Sequence, residues 1–459
     1  MPTEFDAPLW VPHEYQARGV DWLISHPEAG LFWKPGLGKT STTLAAFIRL
    51  REMGYSHRML VLAPLKVAQG TWQAEAAKYK QFQHLKVGFA HGKDKAKVLL
   101  DTGYDIVVLN YDGIVWAAPL ILEHVKLFGT VVFDELTKMK HTNTKRFKTF
   151  KACLPCFQFR YGLTGTPAAN GLMDLFGQMM CLDLGYRLGK YITKFRLDYF
   201  YQKPYDEYGW YISPDKEAKL HGKVRDIAMY IQPEEFLKLP DLIHVKLTGE
   251  LEPAQMVQYK HLEDEYIMKL GETDVITAAN AAVLTSKLRQ FTSGAIYGEN
   301  KEVKAIHNIK LELLENLIEE LAGEPIMVAY NFNNEVDRIL GVFPNAAVLR
   351  GGMSTTAVNA VIAEWNQGSS PILLVQADMV AHGLNLQFGG YSICWYSQTY
   401  NLEVYEQLIA RVYRQGQESA RVIVYHLLIE KTIDMHVAEK LVQKDITQVA
   451  LLQALKLNF

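Results

Sequence analysis

Cysteine, long apolar runs and a leader sequence are scarce or absent in this chain. Its four cysteines among 459 residues are fewer than a secreted disulfide framework of this size would use, which predicts a reducing compartment. No apolar run approaches the roughly 20 residues that cross a bilayer, and the first six residues lack the basic and then apolar pattern of a signal peptide. These features predict a cytoplasmic protein that has no membrane partner.

An excess of charge of one sign and a cysteine cluster are also missing. The 48 basic and 50 acidic residues leave a net charge of −2, which neither requires nor excludes a polyanionic partner, because the local placement of lysine and arginine decides DNA binding. Cys153 and Cys156 form a lone CxxC pair, whereas a zinc site needs four ligands and Cys181 and Cys394 stand far away in sequence. We therefore expect no metal bound by cysteine.

The chain does contain two series of short apolar runs separated by helical patterns. Runs that are apolar on both faces are typical of parallel strands covered by helices. The first series comprises Met59–Ala63, Asp105–Leu109 and Thr130–Phe133, and the second comprises Pro325–Ala329, Ala346–Leu349, Pro371–Val375, Ser392–Trp395 and Arg421–Tyr425. The pattern predicts an α/β protein with two lobes, each built on a parallel sheet.

The alternation of strands and helices fails between the two series. From about Cys181 to about Asn300 the chain is aromatic, charged and helical in pattern, with prolines that divide it into short segments. We expect a mostly helical insertion and linker at 181–300, between an N-terminal lobe at 1–180 and a C-terminal lobe at 301–459. The length allows this arrangement, because domains cluster near roughly 100–200 residues.

A glycine-rich segment, Gly36-Leu37-Gly38-Lys39-Thr40, lies between an apolar run and a helical run. Such a loop directs backbone N–H groups at phosphate oxygens, and the positive end of the following helix stabilises the negative charge. We expect Lys39 to reach the β and γ phosphates of ATP and the Thr40 hydroxyl to bind Mg²⁺. Trp33 stands where the fuller consensus has glycine.

Two carboxylates, Asp134 and Glu135, follow directly after the predicted strand Thr130–Phe133. The carboxyl ends of parallel strands face the ligand in α/β proteins. We expect Asp134 to hold Mg²⁺ through water and Glu135 to position or deprotonate the attacking water. The acidic pair and the phosphate loop together predict hydrolysis of ATP.

Two arginines near the other end of the chain, Arg411 and Arg414, are three residues apart. On a helix they would share a face and point together at one target. Arginine is a permanently charged, planar donor that suits the charge spread over a transferring phosphoryl group. Gln407, Gly416 and Gln417 flank the pair. The pattern predicts that the later lobe completes the nucleotide site.

The order of these motifs resembles the Swi/Snf-type branch of helicase superfamily two, and the compact insertions are similar to those of smaller members encoded by bacteria and their phages. The resemblance runs over nearly the whole chain. It implies two RecA-like lobes that grip ATP and Mg²⁺ together and shift when ATP is cleaved. It also implies that the protein acts in the cytoplasm of a bacterium or of a phage-infected host.

Further residues of the first lobe fall on motifs of that family. Gln16 resembles the glutamine that reads the adenine edge. Ala63–Leu65 with Trp72 and Glu75 is similar to motif Ia. Thr164-Gly165-Thr166-Pro167 resembles motif III, which couples hydrolysis to lobe movement. The resemblance therefore implies a coupling role for Thr164 and Thr166.

The later lobe carries the family's remaining motifs. Arg350–Met353 resembles motif IV, and Gly383-Leu384-Asn385-Leu386 resembles motif V. Gln407, with the two arginines and Gln417, falls on motif VI. The resemblance implies that Gly383 and Gln407 contact the nucleotide and that Asn385 acts in coupling.

The chain departs from the family pattern at two places. Thr137 stands where the family has a histidine two positions after the acidic pair, which puts the usual contact with motif III in question. Leu402 replaces the proline of the family's Trp-Asn-Pro, although Tyr400 and Asn401 keep the aromatic ring and the amide.

A cluster of basic residues follows the carboxylates and comprises Lys138, Lys140, Lys145, Arg146, Lys148 and Lys151. These side chains could neutralise backbone phosphates of a duplex that lies across both lobes, which would give salt-sensitive binding without sequence preference. A solvated helix face would show the same pattern of charge. The sequence leaves both interpretations open.

The hypothesis that unites these features is an ATP-driven translocase on double-stranded DNA, acting as a monomer. No element for strand separation is evident, so we expect displacement of a third strand from a triplex rather than efficient unwinding of a fork. An RNA-directed or single-strand helicase would share the same core. A DNA-binding module that uses ATP as a switch, with little hydrolysis, is the alternative from another class.

Overall fold

A computed structural model describes residues 7–204, 209–231, 236, 239–271, 278–298, 300, 302–380 and 384–454. The chain divides into two compact units, Met1–Leu237 with Lys444–Phe459 and Lys238–Gln443. The predicted region 181–300 thus contributes residues to both units, and its bounds as a separate domain stay a prediction. None of the described helices combines the length and the apolar character needed to cross a membrane.

The first unit is built on a parallel sheet of seven strands. These are β1 Glu28–Phe32, β2 Met59–Ala63, β3 Val87–Phe89, β4 Ile106–Asn110, β5 Thr130–Asp134, β6 Phe159–Thr164 and β9 Ala228–Tyr230. Their order in the sheet is β3-β4-β2-β5-β6-β1-β9. A separate antiparallel pair is formed by β7 Phe200–Tyr201 and β8 Tyr211–Ile212.

Helices cover both faces of this sheet, since β2, β4 and β6 are buried along their whole length. The helices are α1 Glu14–Ser25, α2 Lys39–Glu52, α3 Leu65–Lys78, α4 Lys95–Leu100, α5 Ile114–Glu123, α6 Lys145–Lys151, α7 Leu175–Asp183, α8 Ile192–Tyr199 and α9 Pro214–Val224. Four short 3₁₀ segments lie at Tyr111–Gly113, Leu136–Met139, Leu154–Cys156 and Leu172–Asp174.

The second unit has a parallel sheet of six strands. These are β10 Asp241–Gly249, β13 Ile326–Tyr330, β14 Ala347–Leu349, β15 Ile372–Gln376, β16 Ser392–Trp395 and β17 Arg421–Ile429, in the order β10-β17-β16-β13-β15-β14. β11 Ala295–Tyr297 and β12 Val303–Ala305 form an antiparallel pair. The helices are α10 Pro253–Gly271, α11 Ala278–Thr292, α12 Ile309–Glu320, α13 Asn333–Val342, α14 Thr355–Asn366, α15 Ala377–Val380, α16 Leu402–Ile409 and α17 Ile433–Ala454.

All eight predicted strands are confirmed, and so is the fold class of two α/β lobes with parallel sheets. The interpretation of the intervening region as mostly helical missed five strands, β7 to β11. Two of them, β9 and β10, extend the first and the second sheet respectively. β9 is only three residues long, and β10 follows a proline and carries charged residues on an exposed face. Each becomes a strand because a neighbouring strand offers unpaired backbone groups at the sheet edge.

Candidate nucleotide site

The phosphate loop of the first unit has a conformation that only glycine adopts readily. Gly36 and Gly38 have φ values of 88° and 73°. Gly38 precedes Lys39, the first residue of α2, so the amino end of the helix opens into the loop. A Cβ atom at Gly38 would also lie 2.3 Å from Nε2 of Gln16. The loop before α2 therefore depends on these glycines, and its role as a phosphate cradle stays a prediction.

Trp33, the departure from the consensus at the start of this loop, contributes its backbone and not its ring. The indole is fully buried and meets Tyr15 edge to face, with ring centroids 5.4 Å apart. It also contacts α1 at Gly19, where a Cβ atom would lie 2.5 Å from the indole. The carbonyl of Trp33 accepts a hydrogen bond from Nζ of Lys39 at 2.7 Å, and that of Lys34 accepts one at 3.2 Å. These bonds orient the Lys39 ammonium across the loop.

Gln16 fastens α1 to the phosphate loop. Its Oε1 accepts from the backbone N–H of His13 at 2.9 Å, and its Nε2 donates to the carbonyl of Leu37 at 3.2 Å. The side chain is buried. The structure thus places Gln16 beside the loop, and its contact with adenine stays a prediction.

Asp134 lies at the carboxyl end of β5, as predicted, and is held by a residue of α3. Its Oδ2 accepts from the indole Nε1 of Trp72 at 2.9 Å. Burial raises the pKa of Asp134, while the Trp72 hydrogen bond and the charge of Lys39 lower it. Because the Lys39 charge acts on this carboxylate, the phosphate loop and the acidic pair form one electrostatic site.

A second contact of α3 reaches the helix that follows the phosphate loop. Oε1 of Glu75 accepts from the hydroxyl of Ser41 at 2.5 Å. Trp72 and Glu75 are three residues apart and so lie on one face of α3. Sequence reasoning placed both on a family motif but missed Ser41, because a buried serine inside a helix carries no pattern of its own.

Glu135 has a backbone conformation that is rare for a residue other than glycine. Its φ is 65° and its ψ is 66°. The hydroxyl of Tyr111 lies 3.0 Å from the carbonyl oxygen of Asp134 and 3.2 Å from that of Glu135, so it donates into this turn. Sequence reasoning missed Tyr111. The signal available was its position directly after the carboxyl end of β4, which is separated from β5 by β2 in the sheet.

The carboxylate of Glu135 accepts two hydroxyl groups on one oxygen. Oγ1 of Thr137 donates to Oε1 at 3.1 Å, and Oγ1 of Thr164 donates to the same atom at 2.9 Å. The backbone N–H of Thr166 in turn donates to Oγ1 of Thr164 at 3.1 Å. Thr137, which replaces the usual histidine, and Thr164 of motif III therefore share the Oε1 atom of Glu135 as their acceptor.

The motif III segment also packs against the phosphate loop. A Cβ atom at Gly165 would lie 3.0 Å from Cδ of Pro35 and 3.2 Å from the carbonyl oxygen of Trp33. A side chain at this position would force Pro35 or the Trp33 carbonyl to shift by a few tenths of an ångström. Thr164 and Thr166 flank Gly165, so the three elements of the site in the first unit are in direct contact.

Two of the basic residues expected at a nucleic-acid surface make contacts inside the unit. Nζ of Lys140 pairs with Asp174 at 3.2 Å, and both side chains are largely buried. The guanidinium of Arg146 lies 5.5 Å from the ring centroid of Tyr111 and donates to the carbonyl of Lys138 at 3.0 Å. By contrast, Lys145, Lys148 and Lys151 are exposed on α6.

The arginine pair of the second unit does not lie on a helix, so that prediction is wrong. Helix α16 ends at Ile409, and the backbone N–H of Arg411 donates to the carbonyl of Leu408 in the first of several tight turns. The turns end at Gly416, whose φ is 91°. Nη1 of Arg414 donates to Oδ1 of Asn385 at 2.7 Å, and burial lowers the pKa of Arg414.

The two glutamines of motif VI have different surroundings. Gln407 is buried on α16 and donates to Glu403 at 3.4 Å. Nε2 of Gln417 donates to the carbonyls of Gln387 at 3.0 Å and Gly390 at 3.2 Å. Gln417 therefore connects the arginine turns to the residues that follow the motif V segment. Gly383, expected on the nucleotide, lies outside the described residues.

The segment that resembles motif IV, Arg350–Met353, lines a cavity of about 430 Å³ in the second unit. Asn333, Asp337 and Gln376 also line it. The cavity lies where β13, β14 and β15 end, which is the edge of a parallel sheet where ligands bind.

Comparison with known proteins matches both halves of the chain. Residues 15–290 match the SNF2-related domain, and residues 309–416 match the helicase conserved C-terminal domain. The chain belongs to the SNF2-related family. The predicted family and the predicted class of enzyme, a helicase-type ATPase, are both confirmed by these matches.

Relatives of this SNF2-related chain occur in a phage, a bacterium and a plant. Protein p41 of Acyrthosiphon pisum secondary endosymbiont phage 1 is 32% identical over 97% of this chain and 99% of its own length. YwqA of Bacillus subtilis, named for an inferred ATP-dependent helicase/translocase activity, is 26% identical over 93% of this chain and 47% of its own length. CHR23 of Arabidopsis thaliana, whose name describes an ATP-dependent DNA helicase, is 24% identical over 94% of this chain and 42% of its own length. The chain spans less than half the length of the last two.

The SWI2/SNF2 ATPase core of Sulfolobus solfataricus in complex with double-stranded DNA is similar over 97% of this SNF2-related chain and 94% of that chain. The TM-score is 0.47 and the sequence identity is 23%.

Proposed function

We propose that this chain hydrolyses ATP in order to translocate on, or remodel, double-stranded DNA. The observation that carries the proposal is the convergence of Lys39, Asp134 and Glu135 at the carboxyl edge of one parallel sheet in an SNF2-related chain. Lys39 supplies positive charge for the terminal phosphates. Glu135 orients the attacking water. Turnover then depends mainly on positioning and on electrostatic stabilisation of the phosphoryl group.

The residues at this edge fit a magnesium ion. The hydroxyl of Thr40 at the first turn of α2 and the carboxylate of Asp134 are hard oxygen ligands of the kind that Mg²⁺ takes. Mg²⁺ would neutralise phosphate charge when it is bound with ATP. Trp72 holds the Asp134 carboxylate in place through Oδ2, and Lys39 provides the neighbouring charge that favours its ionised form.

Motif III supports a route from the phosphates to the carboxylate. Gly165 packs on the phosphate loop, and Thr164 donates to Glu135. A displacement of the loop on loss of the γ phosphate would therefore reach the carboxylate through one short segment. We assign Thr164 and Thr166 to this coupling, together with Thr137.

Arg411 and Arg414 would provide guanidinium groups for the charge that develops on the transferring phosphoryl group. Asn385 orients Arg414 through its side-chain oxygen, which supports a coupling role for Asn385. Gly383 and Gln407 are proposed to contact the nucleotide, as the family resemblance implies. ATP would then hold residues of both units at once, and its cleavage would let the units move.

DNA is the proposed polymer because the Arabidopsis relative is named as a DNA helicase. Exposed lysines on α6, such as Lys145, provide charge for phosphate contacts without sequence preference. We expect the chain to work as a monomer in the cytoplasm of a bacterium or of a phage-infected host, in keeping with its phage and bacterial relatives.

The central test is the ATPase rate with duplex DNA, single-stranded DNA, RNA and no polymer, at fixed salt. We expect the largest stimulation with duplex DNA, and Lys39→Ala and Glu135→Gln should abolish turnover. Stronger stimulation by RNA or single strands would favour the alternative helicase. Slow hydrolysis that Glu135→Gln leaves unchanged would favour the nucleotide switch.

A second test separates translocation from unwinding. The chain should displace the third strand of a DNA triplex in an ATP-dependent manner and leave a forked duplex closed. Efficient fork unwinding would contradict translocation as the main activity.

A further inference from the structure

Tyr111 lies beside the candidate carboxylates and has no role in the chemistry described above. Arg146, which the sequence offered as a phosphate contact, packs on the Tyr111 ring. The Tyr111 side chain is buried, and its hydroxyl is within 3.2 Å of the carbonyl oxygens of both Asp134 and Glu135. The Arg146 guanidinium lies over the Tyr111 ring, where cation and π face attract each other. One chain of contacts therefore runs from α6 to the acidic turn.

We infer that Tyr111 and Arg146 are positioning residues that hold the backbone of the Asp134–Glu135 turn and connect it to α6. This inference rests on the proposed ATPase activity. Glu135 is in the left-handed region, which a non-glycine residue occupies only when its surroundings enforce it. The Tyr111 hydroxyl is one of the groups that enforce it, because it shares its one proton between the carbonyl oxygens of Asp134 and Glu135.

Arg146 connects this turn to a charged surface. Its guanidinium donates to the carbonyl of Lys138, which follows the acidic turn, and lies 3.8 Å from the exposed Asp112. On the same helix, Lys145 and Lys148 point to solvent. Nucleic-acid phosphates bound by these lysines would fix α6, and with it the guanidinium that packs on Tyr111. Polymer binding would thus stabilise the conformation of Glu135 that turnover needs.

The first test compares two tyrosines that each donate from a buried hydroxyl to a backbone carbonyl. Tyr111→Phe removes the contact to the acidic turn, and Tyr161→Phe removes a hydrogen bond of 2.6 Å to the carbonyl of Leu23. With duplex DNA present, Tyr111→Phe should lower kcat about tenfold and leave KM for ATP within about twofold, because misplaced groups slow the chemical step. Tyr161→Phe should keep the wild-type kcat.

The thermal unfolding midpoints of both variants show whether each folds. Two outcomes overturn the inference: wild-type kcat in Tyr111→Phe, or an equal loss in Tyr161→Phe. If the wild-type chain itself shows no polymer-stimulated hydrolysis, the proposed function fails and this inference fails with it. The wild-type measurement therefore distinguishes the two failures.

The second test compares two basic residues of α6. Arg146→Lys keeps the charge but loses the planar fork, so stimulated kcat should fall about tenfold while the half-saturating DNA concentration stays within about twofold. Lys148→Ala should raise the half-saturating concentration instead. If Arg146→Lys raised that concentration and kept kcat, Arg146 would be a phosphate contact and the inference would be wrong.

Discussion

Glu135 combines an unusual backbone conformation with a carboxylate that has two hydroxyl donors on one oxygen. Thr137 and Thr164 provide these donors from positions 2 and 29 residues later in the chain. The family's histidine at position 137 would titrate near neutral pH, whereas threonine does not. In this chain, position 137 therefore adds no imidazole to the contact between the acidic turn and motif III.

Thr137→Val should lower kcat about tenfold, with KM for ATP nearly unchanged. Valine keeps the shape of the side chain but removes one hydrogen-bond donor to the Glu135 carboxylate. A hydrogen bond to a charged group contributes about 1.5–3 kcal/mol. A loss of about 1.4 kcal/mol corresponds to a tenfold change in rate. Steady-state ATPase assays with duplex DNA measure this. Thr137→Ser, which keeps the hydroxyl, is the control and should retain activity. Full activity in the valine variant would contradict a role for this donor.

His426 of the second unit predicts a dependence of stability on pH. Burial and the nearby charges of His244 and Lys246 lower the pKa of His426 to about 3, from an ordinary value of 6.5. Between these values the unfolded chain binds a proton that the folded chain does not, so stability falls as pH decreases below about 6.5. The slope from this residue approaches about 1.4 kcal/mol per pH unit.

Denaturant titrations of the wild type and of His426→Gln between pH 7 and pH 4 measure this contribution. The glutamine variant should show the shallower loss of stability on acidification. Equal slopes in the two proteins would mean that His426 titrates normally in the folded state.

At the scale of elements, the site depends on strand ends and on one helix that connects them. β4, β2, β5 and β6 are neighbours in the sheet, so their carboxyl ends place Tyr111, Asp134 and Thr164 side by side. Helix α3 contacts both the end of β5 through Trp72 and α2 through Glu75. It thereby sets the distance between the phosphate loop and the acidic pair.

Trp72→Phe should move the acid limb of the pH–rate profile to higher pH. The indole hydrogen bond lowers the pKa of Asp134, so its loss lets burial raise that pKa further. Under the proposed role of Asp134, protonation of its carboxylate weakens its hold on Mg²⁺, and activity is therefore lost at a higher pH on acidification. Profiles of kcat/KM against pH measure the shift.

Trp365→Phe is the matched control for this shift. The Trp365 indole donates to the carbonyl of Leu386 at 2.9 Å and packs in a hydrophobic core of the second unit. Its acid limb should coincide with that of the wild type. If the acid limb of Trp72→Phe also coincided with that of the wild type, the Trp72 hydrogen bond would not set the ionisation of Asp134.

At the scale of the whole molecule, the predicted catalytic residues are divided between the two units. The first contains the phosphate loop and the carboxylates, and the second contains the arginine turns and the motif V segment. Each unit has its own parallel sheet and core. A motor requires that ATP engages both parts, and the arginines are the residues that test this requirement.

Arg414→Ala should lower kcat by about 10³-fold or more while changing ATP affinity far less, because an arginine of this kind acts on charge that develops in the transition state. Single-turnover ATPase assays and nucleotide-binding titrations measure the two effects separately. Arg421→Ala, which removes an exposed arginine of β17 in the same unit, is the control. Normal turnover in Arg414→Ala would exclude a nucleotide site shared by the two units.

The sequence by itself determined the motifs, their order and the strands that carry them, because glycine spacing, acidic pairs and apolar runs are local properties of a chain. It also placed Lys39 and Asp134 correctly at the amino end of a helix and the carboxyl end of a strand. It misplaced the arginine pair on a helix, since the turns after Ile409 depend on the bonds of Gln417 and Asn385 to distant backbone and side chains.

Only the tertiary structure decided the contacts that hold the site. The Ser41–Glu75, Trp72–Asp134 and Thr164–Glu135 contacts join residues 34, 62 and 29 positions apart. Strands that are not consecutive in the chain are neighbours in the sheet, and this order brings such residues together at one edge. The sequence pattern of each strand does not show which strands will be neighbours, because the sheet order is set by the burial of all strands at once.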